Sequence, residues 1–143
     1  MTEILKDLLW ICGIGELRLE VANVKPHAII NVSLPDDFYT WEDPCADMVE
    51  LYEAWPIPDG PLPDLAELDR LVRLGVELFH EGKRLIVHCA SGHNRSALLV
   101  ALIVRETQKL TGPAAVKFIQ DRRLYALWNK NFVEYVNQLA CPD

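Results

Sequence analysis

Apolar residues along the chain group into short runs and helical stripes in a regular alternation. Leu8-Leu9-Trp10-Ile11 is a brief apolar run followed by Gly13 and Gly15, which predicts a strand ending in a turn. Arg18 to Val24 allows a helical turn before Pro26. Ala28-Ile29-Ile30-Asn31-Val32, β-branched and bounded by Pro26 and Pro35, predicts a strong strand. The stretch from Pro35 to Pro44 is acidic and reads as an exposed loop, and the alternation over Val49–Trp55 predicts a further strand. Four prolines between Pro56 and Pro63 exclude helix and ladder and predict a stiff surface loop whose one charged side chain is Asp59.

Asp64 followed by Glu67 has the pattern of a capping box, opening a helix with Leu65, Leu68, Leu71, Val72, Val76 and Phe79 near the 3.6-residue period and Gly82 at its left-handed stop. Leu85-Ile86-Val87 reads as a buried strand, and Ala97–Val104 as a helix following directly on the intervening nine residues. Pro113 suits the first position of the next helix, which runs to about Arg123, and Asn129 caps a last one with Phe132, Val133, Val136 and Leu139 on one face. Strands alternating with helices, then helices alone, predict an α/β fold: a central, mostly parallel sheet of four to five strands flanked by helices, with a helical C-terminal half. The 143 residues suit one domain spanning 1–143.

Charge narrows the partners. Fourteen basic against twenty-one acidic residues give a net charge of −7, which argues against nucleic acid and against an anionic membrane surface. The N-terminus lacks the charged-then-apolar pattern of a signal peptide, and the run from Ala97 to Val104 is too short to span a bilayer. Cys12, Cys45, Cys89 and Cys141 show no paired spacing and are read as reduced thiols of a cytoplasmic protein. Oligomeric state is not legible.

The chemistry concentrates in His88-Cys89-Ala90-Ser91-Gly92-His93-Asn94-Arg95-Ser96, between strand and helix. There, successive backbone N–H groups and a helix N-terminus form an anion site. A thiol is a poor nucleophile at neutral pH until backbone donors, a helix dipole and a cation populate its thiolate, and Cys89 has all three at hand. Gly92 tolerates positive φ so that the amides turn inward. Arg95 offers a planar fork for two oxygens of a phosphate or sulfate, and Ser96 can donate to the sulfur. Together these describe in-line attack of a thiolate on a bound phosphoryl group.

His88-Cys89, Gly92 and Arg95-Ser96 match the H-C-x-x-G-x-x-R-S/T signature, and the chain resembles the protein tyrosine phosphatase superfamily, in its small dual-specificity branch. Such a match arises by chance at roughly one start in ten million. The resemblance implies the cysteine-dependent phosphatase fold and a phosphocysteine intermediate. Cys89 would be the nucleophile, and Arg95 with the amides of Ala90, Ser91, Gly92, His93 and Asn94 the phosphate site. Asp59, in a loop resembling the family's general-acid loop, would be acid and then base, and Ser96 would stabilise the departing thiolate. His88 would orient the loop. No cofactor or metal is implied, and the partner is a phosphoprotein or phosphopeptide substrate.

Alternatives stay open at this stage. Asp64 competes with Asp59 for the acid, although its capping role accounts for it. Gly92-x-Asn94-Arg95 also resembles RNA 5′-triphosphatases, and a phosphoinositide phosphatase or a non-catalytic phosphate-binding module are further readings. His93 and Asn94 are either solvated or edge the pocket. Arg122 and Arg123 either reach phosphate at the rim or form a solvated helix end. Trp41, Trp55 and Trp128 read as core or rim packing, and Cys45 or Cys12 as candidate disulfide partners of an oxidised Cys89.

Overall fold

A computed structural model describes residues 1–36 and 44–143. The acidic stretch after Pro35, including Trp41, lies mostly outside the described residues. Among the described residues five strands form one sheet: β1 (Thr2–Leu5), β2 (Leu9–Gly13), β3 (Ala28–Asn31), β4 (Leu51–Ala54) and β5 (Leu85–Cys89). Their spatial order is β1-β2-β5-β3-β4, with β1 antiparallel to β2 and the other neighbours parallel. Five α-helices accompany them: α1 (Ile14–Val24), α2 (Leu65–His80), α3 (Arg95–Gln108), α4 (Gly112–Arg122) and α5 (Lys130–Asn137).

The three central strands are buried along their whole length, as apolar parallel strands covered on both faces should be. β5 enters between β2 and β3, so its C-terminal end opens at the point where strand order reverses, where α/β sheets place ligands. The last register pairs set Gly13 beside Cys89 and Asn31 beside His88. One face packs Ile11, Ile30, Val87 and Cys89 against α2, α3 and α5. The other packs Cys12, Ile29 and Ile86 against Ile14, Leu17 and Val21 of α1 and against Cys45.

α3 is buried without interruption from Arg95 to Val104, the condition of a helix enclosed on all sides. α2 instead buries one stripe, Leu68, Leu71, Val72, Gly75 and Leu78, leaving Leu65 exposed and Val76 and Phe79 at the edge. Gly75 is there because Ile103 crosses it: a Cβ would stand 2.3 Å from the Ile103 Cδ1.

Several sequence expectations are corrected. Gly13 and Gly15 do not make a turn; Gly13 is the cap of α1, its N–H donating to Glu16 Oε1 at 3.0 Å. β1 carried too short a pattern to be read. The Asp64–Glu67 capping box is not made. Asp64 stands at the N-cap without a side-chain bond to the helix, and Glu67 accepts from Arg70 Nε at 3.1 Å instead. By contrast, Gly82 is left-handed at φ 70°, Thr111 and Pro113 open α4, and Asn129 Oδ1 accepts from the N–H groups of Asn131 and Phe132.

Candidate active site

The nine-residue loop leaves β5 at Cys89 and enters α3 at Arg95. Cys89 is 1% exposed, at the floor of the loop. Its Sγ lies 3.2 Å from Ser96 Oγ and accepts from the Gly92 N–H at 3.2 Å. The Gly92 N–H thus stabilises negative charge on the sulfur, and the Ser96 hydroxyl, from the first turn of α3, is placed to donate to it once it is a thiolate. Arg95 is 8% exposed, and its Nη1 donates to the carbonyl of Ile57 at 3.4 Å, which ties the guanidinium to the start of the proline-rich loop. The His88 Nδ1 lies 3.4 Å from the carbonyl oxygen of Cys89, on the inner side of the strand end.

The loop can close so tightly because its neighbours lack side chains where they touch. Gly92 has φ 75°, and a Cβ there would come within 2.4 Å of the Cys12 carbonyl carbon. At Gly13 a Cβ would meet the Ala90 carbonyl oxygen at 2.7 Å, the same oxygen that accepts from the Ile14 N–H.

Arg123 holds the loop from behind. Neither sequence reading of it stands: it is neither a rim contact for phosphate nor a solvated helix end, but 8% exposed. Its Nε donates to the Gly92 carbonyl at 2.7 Å and its Nη2 to the Ser91 carbonyl at 3.2 Å. The same guanidinium pairs with both carboxylate oxygens of Glu16, at 2.6 and 3.2 Å, and reaches Thr2 Oγ1 at 2.8 Å. Turning the loop carbonyls outward onto a cation leaves its amides facing the pocket. Burial pushes the Glu16 carboxyl up, but Arg123, the Met1 ammonium and the Gly13 N–H outweigh it and hold the group down at about 2. Glu16 was not legible in the sequence, because the helical turn read over Arg18 to Val24 starts two residues after it, whereas α1 begins at Ile14. Arg122 is exposed over the Phe118 ring.

Asp59 is exposed in the proline-rich loop, yet its carboxylate is fixed. Oδ2 accepts from Asn94 Nδ2 at 3.1 Å and Oδ1 from Asn129 Nδ2 at 2.8 Å. Asn129 Nδ2 and Asn131 Nδ2 also donate to the Gly60 carbonyl, at 3.1 and 2.9 Å. Asn94 is therefore neither solvated nor a pocket edge. His93 sits beside Tyr125, ring centroids 6.4 Å apart, and its carbonyl accepts from the Leu127 N–H at 2.6 Å. Leu124, Tyr125 and Trp128, in the connection from α4 to α5, are all exposed, so Trp128 does not pack in the core, whereas Trp55 does pack against it.

Cys12 and Cys45 belong to the cluster on the face of the sheet opposite Cys89. That separation removes the side-by-side approach a disulfide requires. Burial pushes the Cys12 thiol far up, so it stays protonated.

Comparison with known proteins finds one curated relative and several solved structures of similar fold. Dual specificity protein phosphatase 12 of Rattus norvegicus is 33% identical over 78 residues, which are 54% of this chain and 23% of that protein. The chain thus spans about a quarter of the length of that relative. Among solved structures, human DUSP28 superposes with a TM-score of 0.78 at 19% identity, over 96% of each chain. The active form of Tk-PTP gives 0.74 at 22% identity, over 96% of this chain and 94% of that one. PTPMT1 gives 0.75 at 18% identity, over 96% and 91%. No family model matches the chain. The chain thus has the fold of DUSP28, Tk-PTP and PTPMT1 and, over about half of its own length, is similar in sequence to a dual specificity protein phosphatase.

Proposed function

We infer that the protein is a cysteine-dependent protein-tyrosine or dual-specificity phosphatase in which residues 1–143 act as one catalytic domain. The observation that carries this reading is the sulfur of Cys89, buried at the centre of an anion-binding loop and met at 3.2 Å by both Gly92 N–H and Ser96 Oγ. An inert core cysteine needs neither donor.

In the first step the Cys89 thiolate attacks phosphorus, the S–P bond forms and the bond to the leaving oxygen breaks. Asp59 gives its proton to that oxygen. Arg95 and the inward amides of residues 90 to 95 hold the three equatorial oxygens as charge redistributes. In the second step water attacks phosphorus, Asp59 takes the proton, and the S–P bond breaks with its electron pair returning to sulfur. The Ser96 hydroxyl supports the thiolate that forms. The role of Asp59 draws support from its carboxylate being tied to the loop residue next to Arg95, whereas Asp64 makes no such contact.

The substrate class we favour is a phosphoprotein or phosphopeptide, and the compartment a reducing one, the cytoplasm, which keeps Cys89 a thiol. Among the described residues no helix is long and apolar enough to cross a membrane. Metal-free hydrolysis of 4-nitrophenyl phosphate, lost in Cys89→Ser, tests the reaction. Parallel assays on a phosphotyrosine peptide, triphosphate-ended RNA and an inositol phospholipid test the class; PTPMT1 has been solved with PI(5)P, but the loop here carries no lysine. Binding of phosphopeptide without turnover would overturn the catalytic reading.

A further inference from the structure

We propose that Asn94 is a positioning residue for Asp59, a coupling between the phosphate loop and the acid loop that presets the proton donor before substrate arrives. The inference rests on Asp59 being the general acid.

Asn94 is 2% exposed although it belongs to a loop that must open to substrate. Its Oδ1 accepts from two backbone N–H groups, those of Trp128 and Asn129, each at 2.9 Å. Both are donors only, so they fix which end of the amide is oxygen, and the NH2 end must face Asp59. Nδ2 donates to Asp59 Oδ2 at 3.1 Å. Asn129, whose N–H one of these bonds orients, supplies its own Nδ2 to Asp59 Oδ1 at 2.8 Å. One buried amide therefore joins three segments: the phosphate loop, the acid loop, and the connection between α4 and α5.

That connection is built for the purpose in its backbone. Tyr125 and Leu127 both take left-handed conformations, φ 63° and 59°, at a cost that residues with side chains bear only where the surroundings dictate it. The result presents the consecutive N–H groups of Leu127, Trp128 and Asn129 to the His93 carbonyl and the Asn94 Oδ1. Asp59 itself sits in an exposed loop with prolines on either side, so its side chain gains its orientation from the two amides. The side-chain oxygen of Asn94 and one hydrogen of its Nδ2 are thus committed to the connection and to Asp59, so the side chain serves the acid while the backbone N–H remains part of the phosphate loop.

Asn94→Asp isolates the contact. The isosteric carboxylate still accepts from Trp128 and Asn129 but turns an acceptor, carrying like charge, toward Asp59. A displaced acid slows only reactions whose leaving oxygen needs the proton. We expect kcat/KM for phenyl phosphate, a poor leaving group, to fall about 10- to 100-fold more than that for 4-nitrophenyl phosphate. Inhibition by inorganic phosphate should weaken in Asn94→Asp, which adds a negative charge beside the phosphate loop, and that loss falls on both substrates alike, so the ratio of the two kcat/KM values is the readout. Asn94→Ala, which removes the donor and adds no charge, should show the same selectivity and covers the case in which N94D fails to fold.

In an Asp59→Asn background neither change should lower the phenyl phosphate rate further relative to the nitrophenyl phosphate rate, because positioning is worthless without the acid. Equal losses on both substrates, or a further selective loss in that background, would overturn the inference and make Asn94 a structural residue. A failure of the underlying reading looks different: Asp59→Asn would then itself reduce both substrates equally, which would remove the acid assignment and the inference with it.

Discussion

Glu16→Gln tests whether the ion pair behind the loop holds the site together. The carboxylate lies against Arg123, whose Nη2 is shared between Glu16 and the Ser91 carbonyl and whose Nε carries the Gly92 carbonyl. Glutamine keeps the size of the side chain and an oxygen for the Gly13 N–H, and removes the charge. The folded carboxyl sits at about 2 against an ordinary value of 4.5. Taken at face value that difference is about 3 kcal/mol of linkage, but Glu16 is 35% exposed, and solvent screening reduces it to about 1–2 kcal/mol. Because the folded value is depressed, the stabilisation is complete above about 4.5 and is lost as pH falls toward 2. Urea unfolding at pH 7 should therefore show the variant less stable by that amount, a midpoint shift of about 0.5–1 M. The two proteins should converge as the pH approaches 2, with the wild type losing more. Turnover at pH 7 should fall as well, since the loop carbonyls lose their fixed partner. An equal midpoint at pH 7, or a difference that persists undiminished at pH 2.5, would refute the reasoning.

Ser96→Ala should leave kcat/KM for 4-nitrophenyl phosphate within about threefold while lowering kcat about tenfold or more, with a burst of nitrophenol, because the lost hydroxyl serves the departing thiolate in the second step. Loss of kcat/KM in proportion would place Ser96 in the first step instead. Gly92→Ala forces a side chain into φ 75° and to within 2.4 Å of the Cys12 carbonyl carbon, so activity should drop at least a hundredfold and thermal stability with it; a near-normal variant would contradict the tight closure of the loop. Asn129→Ala removes both the α5 cap and a donor to Asp59. It should cost about 1 kcal/mol in urea unfolding and, beyond that, slow phenyl phosphate more than nitrophenyl phosphate in steady-state assays.

The parts of this protein legible in sequence are those set by local pattern. The apolar run at Ala28–Val32, the stripe of α2, Pro113 and the Asn129 cap each announce themselves within a few residues. The nucleophile loop does so too, because an anion nest with a thiol at its start needs particular residue types at fixed offsets. Asp64 shows the limit of such reading: the capping-box pattern is present, yet Glu67 finds Arg70 and the box is not formed. What stayed hidden is what the fold brings together over distance. Arg123 and Glu16 are separated by most of the chain, and each looks in sequence like an ordinary surface charge. Asn94 read as a variable loop position because its three partners, Asp59 and the two N–H groups before α5, come from segments 35 and 34 residues away. β1 was missed because four residues carry too little pattern to distinguish a strand from a terminus.

The central claim is that phosphate passes through the Cys89 sulfur. Rapid acid quenching of the enzyme with a radiolabelled phosphotyrosine peptide measures this directly. The account predicts a covalent phosphoenzyme in the wild type, more of it in Ser96→Ala, and neither phosphoenzyme nor turnover in Cys89→Ser. Turnover by Cys89→Ser at the wild-type rate would contradict it.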